Sequence, residues 1–342
     1  SRTMLFNIDR LSWDKDFIYS VGIDENKLPQ TVPPGSIVGL IHRHAAGELD
    51  LPQGLPVIAA GGDQQCAAVG LGVIKTGIVE ANTGTGSFVL VNCNRPIKDT
   101  NQRLICSASS IAGQWVLEAG IFTTGSVYRW FRDNLVLLDP ENKMSKDDVY
   151  QLMNHEAEKS SPGADGLLLV PHFAASAAPY WNPEARGLLF GLSLGHQRST
   201  IIRAILEGIA FEIQKNIHIM ENYIGQIKEV RISGGLTNSE IFNQIQADVY
   251  NKPVLRTDCE EASALGAAIV AANTLNFYQD IDQAVSHMTR IDINSKKEPD
   301  EGNVRAYENL SKLHDELYWS LEKADIYHKL KQALKCFDRG AT

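Results

Sequence analysis

The sequence has no surplus of basic residues. Lysine and arginine total 32 against 41 aspartates and glutamates, a net charge of −9. No stretch gathers the cations into a block. Nucleic acid is thereby disfavoured as the main partner, because phosphate backbones are held by clustered Lys and Arg. Nor does any apolar run approach the roughly 20 residues that a membrane span needs, so no membrane role is expected. The five cysteines (Cys66, Cys93, Cys106, Cys259 and Cys336) are scattered, odd in number and without a CxxC pair. They read as reduced thiols of a cytoplasmic protein, neither staples nor zinc ligands. There is no short internal repeat and no low-complexity tract. The chain begins Ser1-Arg2-Thr3-Met4 and enters ordered-looking sequence at once. The expectation is that this start is not that of the natural protein.

What is present suits a soluble enzyme. The 342 residues are 44% hydrophobic and 21% charged, enough for two ordinary domains. The organising stretch is Gly61-Gly62-Asp63-Gln64-Gln65, after the apolar run Leu55-Pro56-Val57-Ile58-Ala59-Ala60. That run reads as a buried strand. Ligands of open α/β sheets bind at the C-terminal ends of strands. A carboxylate just past a tight turn there can take a proton from a substrate hydroxyl. Asp63 is equally suited to cap a helix starting near Gln64. Two later turns add weight: Asn82-Thr83-Gly84-Thr85-Gly86-Ser87-Phe88 between two β-like runs, and Ile232-Ser233-Gly234-Gly235-Leu236-Thr237-Asn238 between a strand and a helix. Each alone is an ordinary connection. Together they offer backbone N–H groups and hydroxyls that can cradle phosphate, which with Asp63 points to phosphoryl transfer from a nucleotide to a hydroxyl.

Along the chain, Ser12 is expected to cap a short helix, and Ile37–Ile41 to form a strand. Small-residue helix follows from Ala67 to Gly72. Strands are expected at 78–81, 88–92, 104–107 and 115–117, then helices over 119–135 and 146–159. Leu167–Val170 reads as a strand, and residues 172–187 as a long ordered loop of the kind that is usually functional. The clearest helix has Ile201, Ile202, Ile205, Leu206, Ile209, Ile213, Ile217 and Met220 at helical spacing, capped by Ser199 or Thr200 and ended by Gly225. Further expectations are strands at 230–232 and 254–255, helices over 240–250 and 261–273, a charged loop over 291–302, and one terminal helix over 306–330. Alternating strands and helices make the class α/β, with a mixed sheet.

The turn Gly62-Asp63-Gln64-Gln65 and the stretch Gly187–Glu207, GLLFGLSLGHQRSTIIRAILE, resemble those of the FGGY carbohydrate kinases, a family that includes glycerol kinase and xylulokinase. The likeness runs through almost the whole chain. It implies the actin/Hsp70/hexokinase-like (ribonuclease H-like) two-domain kinase fold, with the N-terminal domain incomplete. Residues 1–72 would be the later part of the N-terminal, substrate domain and 73–342 the C-terminal, nucleotide-binding domain. It implies ATP-dependent phosphorylation of a small sugar or polyol (glycerol, or a ketopentose such as xylulose), with Mg2+ required. Asp63 is matched to the general base, Gln64 to a substrate-hydroxyl contact and Phe88 to an apolar wall of the polyol site. Phe88 is equally suited to plain strand core. Gly84, Thr85, Gly125, Gly234 and Gly235 are matched to the nucleotide site. Ser239 stands where glycerol kinases often carry an adenine-contacting Asn, and Arg129 where they often carry Gln. Thr200 also departs from the family signature. No metal ligands are expected from the protein; His172 and His196 lack partners at metal spacing. A homodimer is expected. The competing reading is an actin-like nucleotide-binding regulatory module without phosphotransfer, which would have no need of a base at Asp63.

Overall fold

The computed structural model describes residues 2–136, 144–257, 259 and 261–338; for 336–338 only the backbone is described. A seven-stranded sheet is built from β1 (Ile78–Thr83), β2 (Ser87–Cys93), β3 (Ile105–Ala108), β4 (Trp115–Ile121), β5 (Glu229–Ser233), β6 (Val254–Thr257) and β7 (Ile291–Lys297), in the order β7-β6-β5-β1-β2-β4-β3. Strands β5 and β6 are parallel, with Val230 opposite Val254, and β3 and β4 antiparallel, with Ile105 opposite Glu118. Val79, Ala81, Val89, Leu90, Val91, Val116 and Leu117 are buried. Consecutive buried apolar residues, without alternation, mark strands covered on both faces.

The helices used below are α1 (Asp63–Gly70), α2 (Gly125–Leu135), α3 (Lys146–Ala157), α4 (Arg198–Ile224), α5 (Glu240–Tyr250), α6 (Ala262–Thr274), α7 (Ile281–Met288), α8 (Glu301–Lys323) and α9 (Ile326–Asp338). The chain divides into two compact units. The first comprises Ser1–Glu80, Leu90–Glu118 and Thr257–Asp292; the second comprises Ala81–Val89, Ala119–Arg256 and Ile293–Thr342.

In the first unit, α1 and α6 meet backbone to backbone. A Cβ on Gly266 would lie 1.8 Å from the Cys66 carbonyl oxygen, and one on Gly70 would lie 2.1 Å from that of Ala262. Only glycine permits that approach. Nearby, Pro56–Ile58 pairs antiparallel with Ile37–Leu40. The expected buried strand at 55–60 is therefore a short one, and it is not buried: Val57 is exposed, as are Ile37, Val38 and Leu40 opposite it. Apolar character alone does not tell a buried strand from an exposed two-stranded ribbon.

The second unit is organised on α4, whose Ile202, Ile205, Leu206, Ile209, Ile213, Ile217 and Met220 are buried. The loop over 172–187 is pinned to α8. Tyr180 stacks on Tyr318 with ring centroids 3.6 Å apart and donates to Asp315 at 2.6 Å, while Asn182 donates to Glu322 at 2.7 Å. Trp181 and Arg186 lie in this loop. His172 is buried against Glu212 at 3.3 Å, and His196 accepts the Ser193 N–H.

Several local expectations are corrected. Ser12 does not cap a helix: Ser12–Trp13 pairs with Phe6–Asn7, and Asp14 caps the helix Lys15–Ser20 by accepting the Phe17 N–H at 3.0 Å. Residues 119–121 finish β4, so the helix begins at Gly125. The cap of α4 is Gln197, with Ser199 and Thr200 already inside the helix. Residues 291–297 are strand β7, a polar edge that takes its pairing from β6. The terminal helix is two, α8 and α9, broken where Asp325 has φ 58°. None of Cys66, Cys93, Cys106 and Cys259 is in a disulfide; the Cys336 side chain lies outside the described residues. Among the described residues no helix is long and apolar enough to cross a membrane.

Glu80 on β1 is fully buried, and among the described residues neither carboxylate oxygen has a hydrogen-bond partner. Burial, reinforced by the nearby Glu118 carboxylate, pushes its pKa up to about 8 from 4.5. A raised folded-state pKa means the folded chain holds this proton more tightly than the unfolded one. Its contribution to stability is then full below about pH 4.5 and is lost as pH rises through about 8. Glu80→Gln, neutral throughout, is expected to match the wild type near pH 5 and to exceed it near pH 9. The difference should be on the order of a few kcal/mol. Urea melts at the two pH values check this; parallel curves for the two proteins would contradict it.

Candidate active site

Helix α1 begins where the strand Pro56–Ile58 and the turn Gly61-Gly62 deliver the chain. Gly62 is the N-cap and Asp63 the first helical residue. The exposed Asp63 carboxylate accepts the Gln64 N–H through Oδ1 at 2.8 Å, and its main-chain carbonyl accepts from Ser263 of α6 at 2.9 Å. The helix start thus holds Asp63 at the backbone and leaves Oδ2 uncommitted. Gln64 Oε1 is buried without a partner among the described residues. An orphaned acceptor beside an exposed carboxylate suits a ligand hydroxyl, since buried polar atoms are otherwise paired. Both residues belong to the first compact unit.

The second unit contains a cavity of about 600 Å³, within the range of small-ligand sites. Its lining includes Gly84, Thr85, Gly125, Arg129, Gly235 and Ser239. Gly234, which precedes Gly235 in the chain and is not among the lining residues, has φ 92°, and a Cβ there would lie 2.5 Å from the Thr83 carbonyl oxygen. The positive φ belongs to Gly234. Gly235 is unstrained, and a Cβ on it would meet no protein atom within 4 Å.

The N-terminus of α2 does not present its amides to the cavity. Thr124 and Ser126 donate their N–H groups to the Thr85 carbonyl at 3.2 and 3.0 Å, and Gly125 donates to that of Gly84 at 3.1 Å. A buried hydroxyl chain supports the loop: Ser87 Oγ lies within hydrogen-bond distance of the Thr83 and Thr124 hydroxyls, at 3.2 and 3.0 Å. The N–H groups of Thr85 and Gly235 have no acceptor among the described residues. Ser126 Oγ is buried without a partner, and Arg129 is exposed with no carboxylate partner among the described residues. The cavity therefore offers amides, hydroxyls and one cation to an anion.

Phe88 is not among the cavity-lining residues and is not core either. It is the exposed member of an otherwise buried β2, lying over Gly120. Ser239 is 3% exposed and fully engaged: it accepts the Phe242 N–H at 3.3 Å as N-cap of α5 and donates to Asn154 Oδ1 at 2.9 Å. One wall of the cavity is formed by residues outside those expected from the sequence. Asp147, Tyr150, Gln151 and Asn154 of α3 line the cavity. Their spacing of three, four and seven residues puts them on one helix face, a polar stripe that could have been noticed. Among the described residues no three His, Cys, Asp or Glu side chains gather as a metal cage.

The model of the C-terminal domain of the FGGY family of carbohydrate kinases matches residues 79–275, and that of the N-terminal domain matches residues 1–70. The chain belongs to the FGGY family of carbohydrate kinases, and its mixed α/β architecture is their actin/hexokinase-like fold. It is 35% identical to the glycerol kinase of Thermococcus gammatolerans over 288 residues, covering 84% of this chain and 55% of that one. It is 37% identical to that of Alkalilimnicola ehrlichii over 279 residues, covering 80% and 53%. Among solved structures, the xylulose kinase from Rhodospirillum rubrum superposes with a TM-score of 0.81 at 26% identity, covering 92% of this chain and 61% of that one. Plasmodium falciparum glycerol kinase with ADP gives 0.78, also at 26%, covering 94% and 61%. The chain spans about half the length of the glycerol kinases it matches.

Proposed function

We propose that this chain carries the general base and the nucleotide pocket of an ATP-dependent kinase acting on a hydroxyl of glycerol or of a ketopentose such as xylulose. The observation that carries the reading is the cavity of the second unit, where two glycine turns leave the Thr85 and Gly235 amides open in a lining that also holds Arg129, a cation without a carboxylate partner among the described residues. Nucleotide phosphates would lie against Gly84, Thr85, Gly125, Gly234 and Gly235. The adenosine part would reach Ser239. Asp63 would take the proton of the attacking hydroxyl, with Gln64 and Phe88 forming part of the acceptor site. Mg2+ bound to phosphates needs few protein ligands, so the nucleotide itself would hold most of the ion, and the ion would neutralise phosphate charge. Residues 1–72 are assigned to the substrate domain and 73–342 to the nucleotide domain, which the two family matches support. A cytoplasmic homodimer is the accompanying expectation. An exposed carboxylate with a free oxygen, beside the orphaned Gln64 amide, disfavours a module that merely binds nucleotide.

Gly235→Val tests the pocket. Its Cβ meets no protein atom, so the variant is expected to melt with the wild type yet bind ADP at least about tenfold more weakly, roughly 1.4 kcal/mol. Calorimetric titration decides it; unchanged affinity would remove Gly235 from the site.

A further inference from the structure

The carboxamide of Asn154 is held in an unusual way. Its Oδ1 accepts from the Tyr128 hydroxyl at 2.9 Å and from the Ser239 hydroxyl at 2.9 Å, which fills both lone pairs. Ser239 takes the Phe242 N–H on its own oxygen, so its proton is committed to Asn154. Tyr128 is buried and stacked on Tyr150, centroids 5.7 Å apart at 15°, with the Arg132 guanidinium 4.6 Å from the Tyr150 centroid. Three elements, α2, α3 and the start of α5, thus fix one amide. Its Nδ2 group has no acceptor among the described residues, and Asn154 lines the cavity.

A phosphate is a poor occupant of this wall. Asp147 lines the cavity on the same helix face, and a carboxylate repels phosphate. The amides and the cation available to phosphate are instead at Thr85, Gly235 and Arg129, on other elements. A neutral, rigid amide donor with Leu236 and the Tyr150 ring also in the lining suits a flat heteroaromatic ring with an acceptor at its edge. We propose that Asn154 reads the nucleobase, donating from Nδ2 to an acceptor on a purine, and that Tyr128 and Ser239 are its positioning residues. This rests on the nucleotide reading of the cavity and extends it to a residue and a ligand edge.

The test is calorimetric titration of the full chain with ADP and, separately, with inorganic tripolyphosphate. Asn154→Ala removes the donor without adding a charge. It is expected to weaken ADP about tenfold or more and to leave tripolyphosphate unchanged. Asn154→Asp keeps an oxygen for Tyr128 and Ser239 but adds a charge, so it should weaken both probes and ADP the more, and Ser239→Ala should give a smaller loss of ADP affinity, about threefold. ADP affinity within twofold of wild type in a folded Asn154 variant would overturn the proposal. So would an equal loss for tripolyphosphate, which would put Asn154 at the phosphates. A wild-type chain that binds neither probe would instead bring down the nucleotide reading, and this inference with it.

Discussion

Asp63→Asn is expected to lower phosphoryl transfer on the order of 10²–10⁴-fold, the usual cost of losing a positioned general base. The asparagine amide keeps an oxygen that can still accept the Gln64 N–H now held at 2.8 Å. The helix start should survive, and with it the Ser263 contact to the main chain. What disappears is the basic oxygen alone. The loss should therefore fall on kcat, with ADP affinity unchanged, because the cavity proposed for the nucleotide is lined by residues of the second unit. The assay couples ADP release to a visible signal with glycerol and xylulose as acceptors, in a polypeptide that contains this chain and turns over. Wild-type turnover in the variant would show that another group, or none, takes the proton.

Gly266→Ala is expected to destabilise the first unit by about 3 kcal/mol, at the upper end of the usual cost of overpacking. The added methyl would sit 1.8 Å from a main-chain carbonyl oxygen and 3.0 Å from the Gly70 nitrogen. Neither atom belongs to a side chain that could swing away, so α1 and α6 must part. Asp63 starts α1 and is tied to α6 through Ser263, so activity should fall together with the melting temperature. Gly235→Ala, which meets no protein atom, serves as the control. Thermal melts of both variants decide it: equal melting temperatures would show that the helices do not approach as closely as described.

Much of this architecture is legible in the sequence because it is enforced locally. The isoleucines of α4 repeat at helical spacing, and the small residues of α1 and α6 announce close packing. The glycine turns at 84–86 and 234–235 stand out since each directly follows a strand. Elements specified by a partner are not legible. Ser12 and Asp14 are both good caps, and only the pairing of Ser12–Trp13 with Phe6–Asn7 assigns the role to Asp14. Strand β7, Ile291-Asp292-Ile293-Asn294-Ser295-Lys296-Lys297, is mostly polar, and its conformation comes from the edge of β6. The wall from α3 was missed for a related reason. A polar helical face looks solvated until another element is placed opposite it, and Tyr128 and Ser239, which engage Asn154, are 26 and 85 residues away in sequence.

The three amides at the start of α2 that donate to the Gly84 and Thr85 carbonyls have a thermodynamic consequence. Gly-containing turns are normally the parts of a chain with the most conformational freedom to lose. Here that freedom is surrendered when the protein folds, since the first turn of α2 already dictates the loop's shape. A phosphate arriving at Thr85 would not have to order the loop, so the entropic penalty that usually weakens binding to a mobile glycine turn is absent from the association step.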